Sequence, residues 1–287
     1  MNNIELSVII VSYKNLEIIV DCLNSIYKNN DIGNYLEVIV VDNSPEDNIY
    51  NYVADNFENV RIIKNQNKGF GEGNNKGACI ARGKYLLFLN PDTILVEPIF
   101  GFAINQFMKD NNLGLFGVKL VDRQLKRNMS FYLMDKYGFI CSQIIKVCNR
   151  LDLYIDGKMF ISGADMFIRK DVFIKIGMFD ENIFMYYEEP DLIRRIKLIN
   201  KKTKYFKYKK IIHLEGKTSE KKETSIIRRL KSAHYYSLKN NLNFHKQLNC
   251  ELRYNYFKLI IYKIFRSKKA KICLSDIRII KQYKRIN

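Results

Sequence analysis

The first ninety residues alternate between continuous apolar runs and segments with helical spacing. The apolar runs cover 6–11, 36–41, 60–63 and 84–89, as expected for strands that are buried on both faces of a parallel sheet. Helices are predicted between these runs, most clearly over 16–26, where apolar residues recur three and four positions apart. The alternation predicts an α/β domain with a Rossmann-like, mostly parallel sheet flanked by helices.

The rest of the chain gives weaker signals. No clear pattern emerges over 100–153, but a helix is predicted from about 189 to 200 and a short strand over 205–213. From 225 onward, basic residues alternate with aromatic and aliphatic ones at roughly helical spacing. This last region is therefore predicted to be a helical extension.

Polar residues follow the predicted strands at their carboxyl ends, which is where parallel sheets bind ligands. Tyr13 follows the first strand, Asp42 ends the second, a glycine-rich segment over 67–77 follows the third, and Asp92 follows the fourth. Four successive strand ends therefore predict one shared site.

Composition adds a strong positive charge. The chain has 48 Lys and Arg against 30 Asp and Glu, a formal net charge of +18. Most of the excess lies in 221–287, which contains 18 basic and three acidic residues. This balance indicates an anionic partner, namely a phosphate-bearing substrate, an anionic membrane surface or a nucleic acid.

Cysteine spacing and hydropathy bear on the cellular compartment. None of the six cysteines has C-x-x-C or zinc-type spacing, so we expect reduced thiols. The N-terminus does not resemble a leader peptide, and no apolar stretch approaches 18 residues. We therefore expect a cytoplasmic protein.

Each residue at the strand ends admits two interpretations. Asp92, in the segment N-P-D-T, can hold Mg²⁺ or Mn²⁺ against a diphosphate, or it can form an ordinary Asx-turn. Asp42 can accept hydrogen bonds from a nucleobase or ribose, or form a turn as well. Tyr13 can stack on a base, although surface tyrosines are common. The four glycines within 69–77 allow a ligand to approach the backbone closely, or they form a flexible loop.

A second group of acidic residues opens the helix predicted near 189. Glu188, Glu189 and Asp191 suit the positive end of a helix dipole, or one of them is a general base. Arg195 follows Asp191 by four positions, which predicts an ion pair along the helix. His213, at the end of a predicted strand, can contact a metal or a phosphate, although a lone histidine more often does neither.

Taken in order, these segments resemble glycosyltransferase family 2, in its bacterial rhamnosyltransferase-like branch. The resemblance is carried by SVIIVSYKN, VVDNS, NKGFGEGNNKG, LFLNPDT, ISGADMFIRKDVF, GMFDENIFMYYEEPDLIRR and HLEGKT, between about 7 and 218. It implies a GT-A fold, a nucleotide-diphosphate sugar donor such as dTDP-rhamnose or a UDP-hexose, and inversion at the anomeric carbon.

The resemblance also implies roles for particular residues. The catalytic candidates are Glu189, Glu188 and Asp191. The nucleotide-binding candidates are Ser12, Tyr13, Asp42, Gly69, Asn75 and Asn90. Metal binding, with Mn²⁺ or Mg²⁺ as the cofactor, is assigned to Asp92 and His213. The residues on the acceptor side, or with structural roles, are Gly163, Ala164, Asp165 and Arg195.

Three positions depart from the family pattern. Asn90 stands where many relatives have a second aspartate, which should weaken metal affinity. The acidic pair is Glu-Glu in place of Glu-Asp, which would make Glu189 the base, with Glu188 as the alternative. Pro190 occupies a position that is usually aliphatic.

We predict two domains, a GT-A catalytic domain over 1–220 and a basic, aromatic-rich helical region over 221–287. The basic region is expected either to lie on an anionic membrane, at the inner face of the cell membrane, or to pack on the catalytic domain or a partner subunit. On the first interpretation it brings the site to a lipid-linked saccharide acceptor for bacterial surface polysaccharide such as capsule or O-antigen.

Three other functions compete with this one. A sugar-1-phosphate nucleotidyltransferase should have a Gly-rich basic signature after the first strand, where this chain has Ser12-Tyr13-Lys14-Asn15. A nucleic-acid-binding protein would use the basic region, but that region matches no recognition module, so we expect no nucleic-acid partner. An inactive nucleotide-sugar-binding relative is disfavoured by the intact acidic set.

Overall fold

The fold is described from a computed structural model, which covers residues 3–135, 137–214 and 222–286. The predicted boundary between 220 and 221, and residues 215–218 of the HLEGKT segment, lie outside these ranges. The two-domain division therefore stays a prediction.

Ten strands are present in the described part of the chain. They are β1 (Leu6–Ser12), β2 (Leu36–Asp42), β3 (Val60–Lys64), β4 (Tyr85–Leu89), β5 (Thr93–Leu95), β6 (Leu113–Val121), β7 (Phe131–Leu133), β8 (Met159–Ile161), β9 (Asp165–Arg169) and β10 (Lys202–His213).

Eight of these strands form one sheet in the order β3-β2-β1-β4-β9-β6-β10-β5. Neighbouring strands are parallel except that β9 runs against β4 and β6, and β5 runs against β10. Strands β7 and β8 form a separate antiparallel pair. The predicted α/β fold with a mostly parallel sheet is confirmed.

Ten α-helices accompany the strands within the same ranges. They are α1 (Leu16–Lys28), α2 (Asn48–Asn56), α3 (Phe70–Ile80), α4 (Phe100–Lys109), α5 (Phe139–Arg150), α6 (Lys170–Lys175), α7 (Glu188–Leu198), α8 (Lys222–Lys239), α9 (Phe244–Ile264) and α10 (Lys269–Ile286).

The sheet is buried on both faces, which explains the continuous apolar runs. Alternate residues of β1 enter two different cores: Val8 and Ile10 join the core that includes α1 and α4, while Ile9 joins the core that includes α6 and α7. The segment without a clear pattern, 100–153, contains two helices and two strands of different burial, so that no single period extends across it.

The glycine-rich segment is mostly helical, which corrects the expectation of a loop. Helix α3 begins at Phe70, and its glycines allow close packing. A Cβ atom on Gly77 would lie 2.4 Å from Ile9 Cγ2, and one on Gly73 would lie 2.9 Å from Val11 Cγ1. The missing side chains therefore let α3 approach β1.

The last three helices, α8 to α10, which we call the tail, are as predicted. They surround a small apolar core of their own that includes Leu230, Leu248, Cys273 and Ile277. None of the helices in the described ranges combines the length and hydropathy needed to cross a membrane.

The packing of α3 yields a prediction about stability. We expect Gly77→Ala to destabilise the protein by about 1–3 kcal/mol, because the added methyl group would overlap Ile9, even though alanine favours helices. Chemical denaturation would measure the change. Cys79→Ala, at an exposed position of the same helix, should change stability by less than about 0.5 kcal/mol. Equal stability of the two variants would contradict the packing argument.

Candidate active site

The carboxyl edge of the parallel strands brings the predicted polar residues together. In the register of β1 and β2, Ser12 lies opposite Asp42, and Asp42 in turn lies opposite Lys64 of β3. Strand β4, which lies on the other side of β1, ends at Leu89, so Asn90 and Asp92 follow at the same edge.

Asp42 is fully buried and held by two donors. Its Oδ1 accepts a hydrogen bond from the Ser44 amide at 2.9 Å, which is the turn interaction expected of an aspartate there, and Oδ2 lies 3.2 Å from Lys64 Nζ. Lys64 was not among the candidates from the sequence, since a single lysine after a strand carries no signal. Tyr13, beside this edge, is 45% exposed and available for stacking.

Asp92 and His213 form a pair at the same edge. The Asp92 Oδ1 atom lies 3.3 Å from His213 Nε2, and the Leu214 amide donates to the Asp92 carbonyl at 2.9 Å. The pairing follows from the antiparallel register of β5 and β10, in which His213 lies opposite Thr93. The two residues assigned to metal binding, 121 positions apart, are therefore neighbours.

This pair fits a divalent cation that is completed by other ligands. In the part of the chain that the structure describes, no three His, Cys, Asp or Glu side chains cluster as a metal site. Mg²⁺ and similar ions commonly bind through one or two protein ligands, with water and substrate phosphates filling the other positions. One carboxylate and one imidazole suit that arrangement.

A tight turn at residues 162–164 connects the Asn90–Asp92 segment to the acidic pair, Glu188 and Glu189. The Asn90 amide donates to the Ala164 carbonyl at 3.1 Å, and the Gly163 amide donates to Glu189 Oε1 at 3.1 Å. A Cβ atom on Gly163 would lie 2.6 Å from that same oxygen. Glycine is therefore required at 163 for Glu189 to reach the backbone.

Both glutamates sit in an environment that disfavours their charge. Glu188 is only 4% exposed, and its Oε2 has no hydrogen-bond partner among the described residues. Burial raises the pKa of Glu188 well above its usual range, and the nearby charge of Glu189 raises it further. Burial also raises the pKa of Glu189. Carboxyls with raised pKa values are suited to proton transfer near neutral pH.

Asp191 has a structural role in this arrangement. It is 1% exposed, Arg195 Nε donates to its Oδ2 at 2.9 Å, and Lys239 Nζ lies 2.7 Å from its Oδ1. The predicted ion pair with Arg195 is confirmed. The catalytic role suggested for Asp191 stays a prediction, and its contacts with Arg195 and Lys239 favour a structural one. Lys239 lies in the tail and carries no sequence signal that could have identified it.

Two further candidates, Asn75 and Asp165, form hydrogen bonds with other residues of the protein. The Asn75 side chain is buried; its Nδ2 donates to the Phe179 carbonyl and to Glu181 Oε1, and its Oδ1 accepts from the Phe179 amide. Its contact with a nucleotide stays a prediction, and in this structure the amide holds segment 179–181. Asp165 is fully buried and accepts from the Val118 amide at 2.6 Å, which favours the structural alternative.

The remaining candidates lie at the same edge without a tested role. The Ser12 hydroxyl donates to Asn15, and Gly69 caps α3 with a φ of 120°. A Cβ atom on Gly69 would lie 2.3 Å from the Phe184 carbonyl oxygen, so this glycine is required for packing as well.

A curled, mostly parallel sheet with an acidic helix start beside its carboxyl edge is the GT-A glycosyltransferase architecture. Residues 7–177 match the sequence profile described as glycosyl transferase family 2. The chain belongs to this family and is a glycosyltransferase.

Relatives with curated sequences agree with this membership. The chain is 24% identical over 214 residues to rhamnosyltransferase WbbL of Escherichia coli K12, covering 69% of this chain and 79% of WbbL. It is 27% identical over 110 residues to the uncharacterised glycosyltransferase YibD of the same organism, covering 37% of this chain and 31% of YibD.

Solved structures share the fold at low identity. The mannosyltransferase PcManGT of Pyrobaculum calidifontis, in complex with GDP-Man and Mn²⁺, superposes with a TM-score of 0.63 at 14% identity, over 96% of this chain and 79% of that one. GalNAc-T7 with UDP, GalNAc and Mn²⁺ gives a TM-score of 0.58 at 14% identity, over 73% of this chain. The chain spans 43% of the length of GalNAc-T7.

The burial of Glu188 predicts an unusual dependence of stability on pH. The folded state binds a proton at this carboxyl more tightly than the unfolded chain does, so stability is lost as pH rises through the raised pKa. We expect Glu188→Gln to unfold at a higher temperature than the wild type at alkaline pH, by roughly 2–4 °C per kcal/mol gained. The difference should shrink as pH falls toward the ordinary glutamate range.

Thermal unfolding across a pH series would measure this difference. Glu58→Gln, the same change at an exposed position, is the control and should show little effect at any pH. A Glu188→Gln variant that is less stable than the wild type at alkaline pH would contradict the prediction.

Proposed function

We propose that this enzyme is an inverting glycosyltransferase that moves a sugar from a nucleotide-diphosphate donor to a hydroxyl of a lipid-linked saccharide. The observation that carries the proposal is the contact of Glu189 with Gly163, by which a half-buried carboxylate lies next to the Asn90–Asp92 segment at the ligand-binding edge of the sheet. The likeness to WbbL supports dTDP-rhamnose as the donor, with a UDP-hexose as the alternative.

The nucleotide is proposed to bind at the ends of β1 and β2. Tyr13 offers an exposed ring for base stacking, and Asp42 lies beside it with Ser12 and Lys64 as neighbours. Asn90 and Gly69 belong to the same edge. Lys64 pairs with Asp42 and Asp47 and so helps to hold the Asp42 carboxylate at this edge.

Glu189 is proposed to act as the general base. The acceptor hydroxyl attacks the anomeric carbon, its proton passes to a Glu189 carboxylate oxygen, and the bond from that carbon to the diphosphate oxygen breaks. Because the attack is opposite to the leaving group, configuration is inverted. Glu188, which is buried beside it, is the alternative base.

Asp92 and His213 would hold a Mn²⁺ or Mg²⁺ ion. Such an ion, when bound, neutralises charge on the departing nucleoside diphosphate. The structures of PcManGT and GalNAc-T7 contain Mn²⁺, which supports this cofactor.

The base assignment predicts a separation of turnover from binding. We expect Glu189→Gln to reduce turnover by about 10²–10⁴-fold, because the amide cannot accept the proton, while binding of the donor stays close to wild type. Wild-type turnover should decline on the acid side at a pH above the usual glutamate range, because the pKa of Glu189 is raised. Nucleotide release from dTDP-rhamnose and UDP-hexoses would measure turnover, and thermal shift with dTDP, UDP and GDP would measure binding.

Asp92→Ala is the control, because it should impair binding where Glu189→Gln does not. It should weaken the thermal stabilisation of the protein by the nucleoside diphosphate in the presence of Mn²⁺. Failure of every nucleotide to stabilise the wild type would count against the donor class, and full turnover in Glu189→Gln would count against the base.

A contact with an anionic membrane is the second part of the proposal. Helix α5 exposes an aliphatic stripe at Ile140, Ile144 and Val147, three or four residues apart. At its start, the Phe139 ring lies 4.9 Å from the Phe257 ring of α9, and both rings are exposed. Two exposed apolar helix faces therefore meet at this ring pair.

Basic residues border the apolar surface. The end of α9 exposes Ile264 and Phe265, and the exposed cations around them are Lys263, Arg266, Lys268, Lys269 and Lys271. Apolar side chains surrounded by lysine and arginine are typical of peripheral membrane segments. The composition of this surface supports an anionic leaflet as the place where a lipid-linked acceptor would be met.

The membrane contact predicts a defined loss of vesicle binding. We expect the double variant Ile264→Ser/Phe265→Ser to bind phosphatidylserine-containing vesicles roughly tenfold more weakly, because two side chains no longer enter the apolar layer. Flotation would measure it, with purely phosphatidylcholine vesicles binding less than anionic ones.

A matched control is available elsewhere on the surface. Met108 and Leu198 are 69% and 77% exposed, against 70% and 77% for Ile264 and Phe265. The variant Met108→Ser/Leu198→Ser should float like the wild type. Equal flotation of both double variants would refute the proposed surface.

A further inference from the structure

The acidic pair follows a turn in an unfavourable backbone conformation. Tyr186 and Tyr187, directly before Glu188, have φ angles of 69° and 75°. Residues other than glycine rarely adopt this left-handed region, and two in succession persist only where the surroundings hold them. The direction in which α7 leaves this turn determines where Glu188 and Glu189 point.

Three successive residues of the turn are each held by the tail. The Ser232 hydroxyl donates to the Met185 carbonyl at 2.8 Å, and the Tyr186 and Ser225 hydroxyls are 2.8 Å apart. Gln247 Nε2 donates to the Tyr187 hydroxyl at 2.5 Å.

The anchor at Tyr187 is itself rigid. Its ring lies 5.3 Å from the Tyr236 ring and packs against the apolar core of the tail. Gln247 is buried, and Ser237 donates to its Oε1 at 3.3 Å, which orients the amide toward Tyr187. Both partners of this hydrogen bond are therefore fixed by their neighbours.

A second connection holds the first turn of α7. Lys239 Nζ of α8 lies 2.7 Å from Asp191 Oδ1 and 2.6 Å from Asp180 Oδ2, and the Tyr235 hydroxyl donates to Asp180 at 2.9 Å. Burial acts to raise the pKa of Asp180, but these donors hold it at about 2, so this carboxylate stays charged at neutral pH. The tail thus grips the polypeptide on both sides of the acidic pair.

We infer that the tail helices α8 and α9 are part of the catalytic apparatus, because they clamp residues 185–187 and thereby aim Glu188 and Glu189 at the acceptor. Gln247, Ser232 and Lys239 are positioning residues in this arrangement. The inference rests on the proposed function of the acidic pair. It gives the tail a role in turnover that is separate from any contact with a membrane.

The clamp acts on the acidic pair and not on the nucleotide edge. The carboxylates of Asp42 and Asp92 contact Ser44, Lys64 and His213, which all precede the tail. Loosening the turn should therefore lower kcat while KM for the donor stays constant, since a general base contributes only if it reaches the hydroxyl.

The test uses the full-length protein and two variants that each remove one partner of the same hydrogen bond. Gln247→Met keeps the size of the side chain but cannot donate, and Tyr187→Phe keeps the ring but cannot accept. Each is expected to lower kcat by roughly tenfold. The double variant should lose clearly less than the product of the two single losses, because both changes remove the hydrogen bond between Gln247 and Tyr187.

Hydrogen–deuterium exchange supplies a readout that does not require the sugar donor. Amides of 185–191 should exchange faster in both single variants than in the wild type, since the turn opens more often. Asn249→Ala is the matched control, because it removes a hydrogen bond from Lys284 to the same helix α9 without touching the turn. It should leave exchange at 185–191 and kcat unchanged.

The outcomes separate the clamp from the base assignment. Unchanged exchange at 185–191 in Gln247→Met and Tyr187→Phe would overturn the clamp, as would faster exchange with a wild-type kcat or with a change confined to KM. If Glu189→Gln and Glu188→Gln both keep wild-type turnover, the base assignment fails, independently of the results for the tail variants.

Discussion

The placement of two adjacent glutamates, Glu188 buried and Glu189 half-buried, is the constraint on which the acidic part of the site depends. Removing carboxylates from water is unfavourable, and Glu188 retains an oxygen without a hydrogen-bond partner in the described chain. The surroundings compensate in part: α7 presents the positive end of its dipole, and the Gly163 amide donates to Glu189. The glycine at 163 and the two tyrosines with positive φ angles help to keep this pair in place. Such retained strain and unmet hydrogen bonding are characteristic of functional sites.

The sheet and the acidic pair are coupled through one short turn. Residues 162–164 contact Asn90 through the Ala164 carbonyl and Glu189 through the Gly163 amide. Strand β9, which starts directly after this turn, is antiparallel to β4 and β6, so the turn lies at the carboxyl edge of its neighbours. The turn therefore lies at the site because β9, in the middle of the sheet, runs opposite to its two neighbours.

Much of the fold and part of the site could be predicted from the sequence. The apolar runs of β1, β2 and β4 are strong signals because both sheet faces are covered, and the pairing of Asp191 with Arg195 follows from helical spacing. The glycines of 69–77 suggested a loop, whereas they pack α3 on β1. The hydrogen bonds of Asn75 to Phe179 could not be predicted either, because contacts over a hundred positions apart leave no local pattern.

The sequence by itself determined the strands, their polar ends and the family to which the chain belongs, because these depend on short-range periodicity and on motifs in a set order. Only the tertiary structure decided which residues meet. The contact of Asp92 with His213 depends on an antiparallel strand pair. The contacts of Lys239 with Asp191 and of Gln247 with Tyr187 depend on how the tail, which has its own core, packs against the rest of the protein. Those contacts join positions far apart in the chain, and their energies come from burial and geometry that no local pattern encodes.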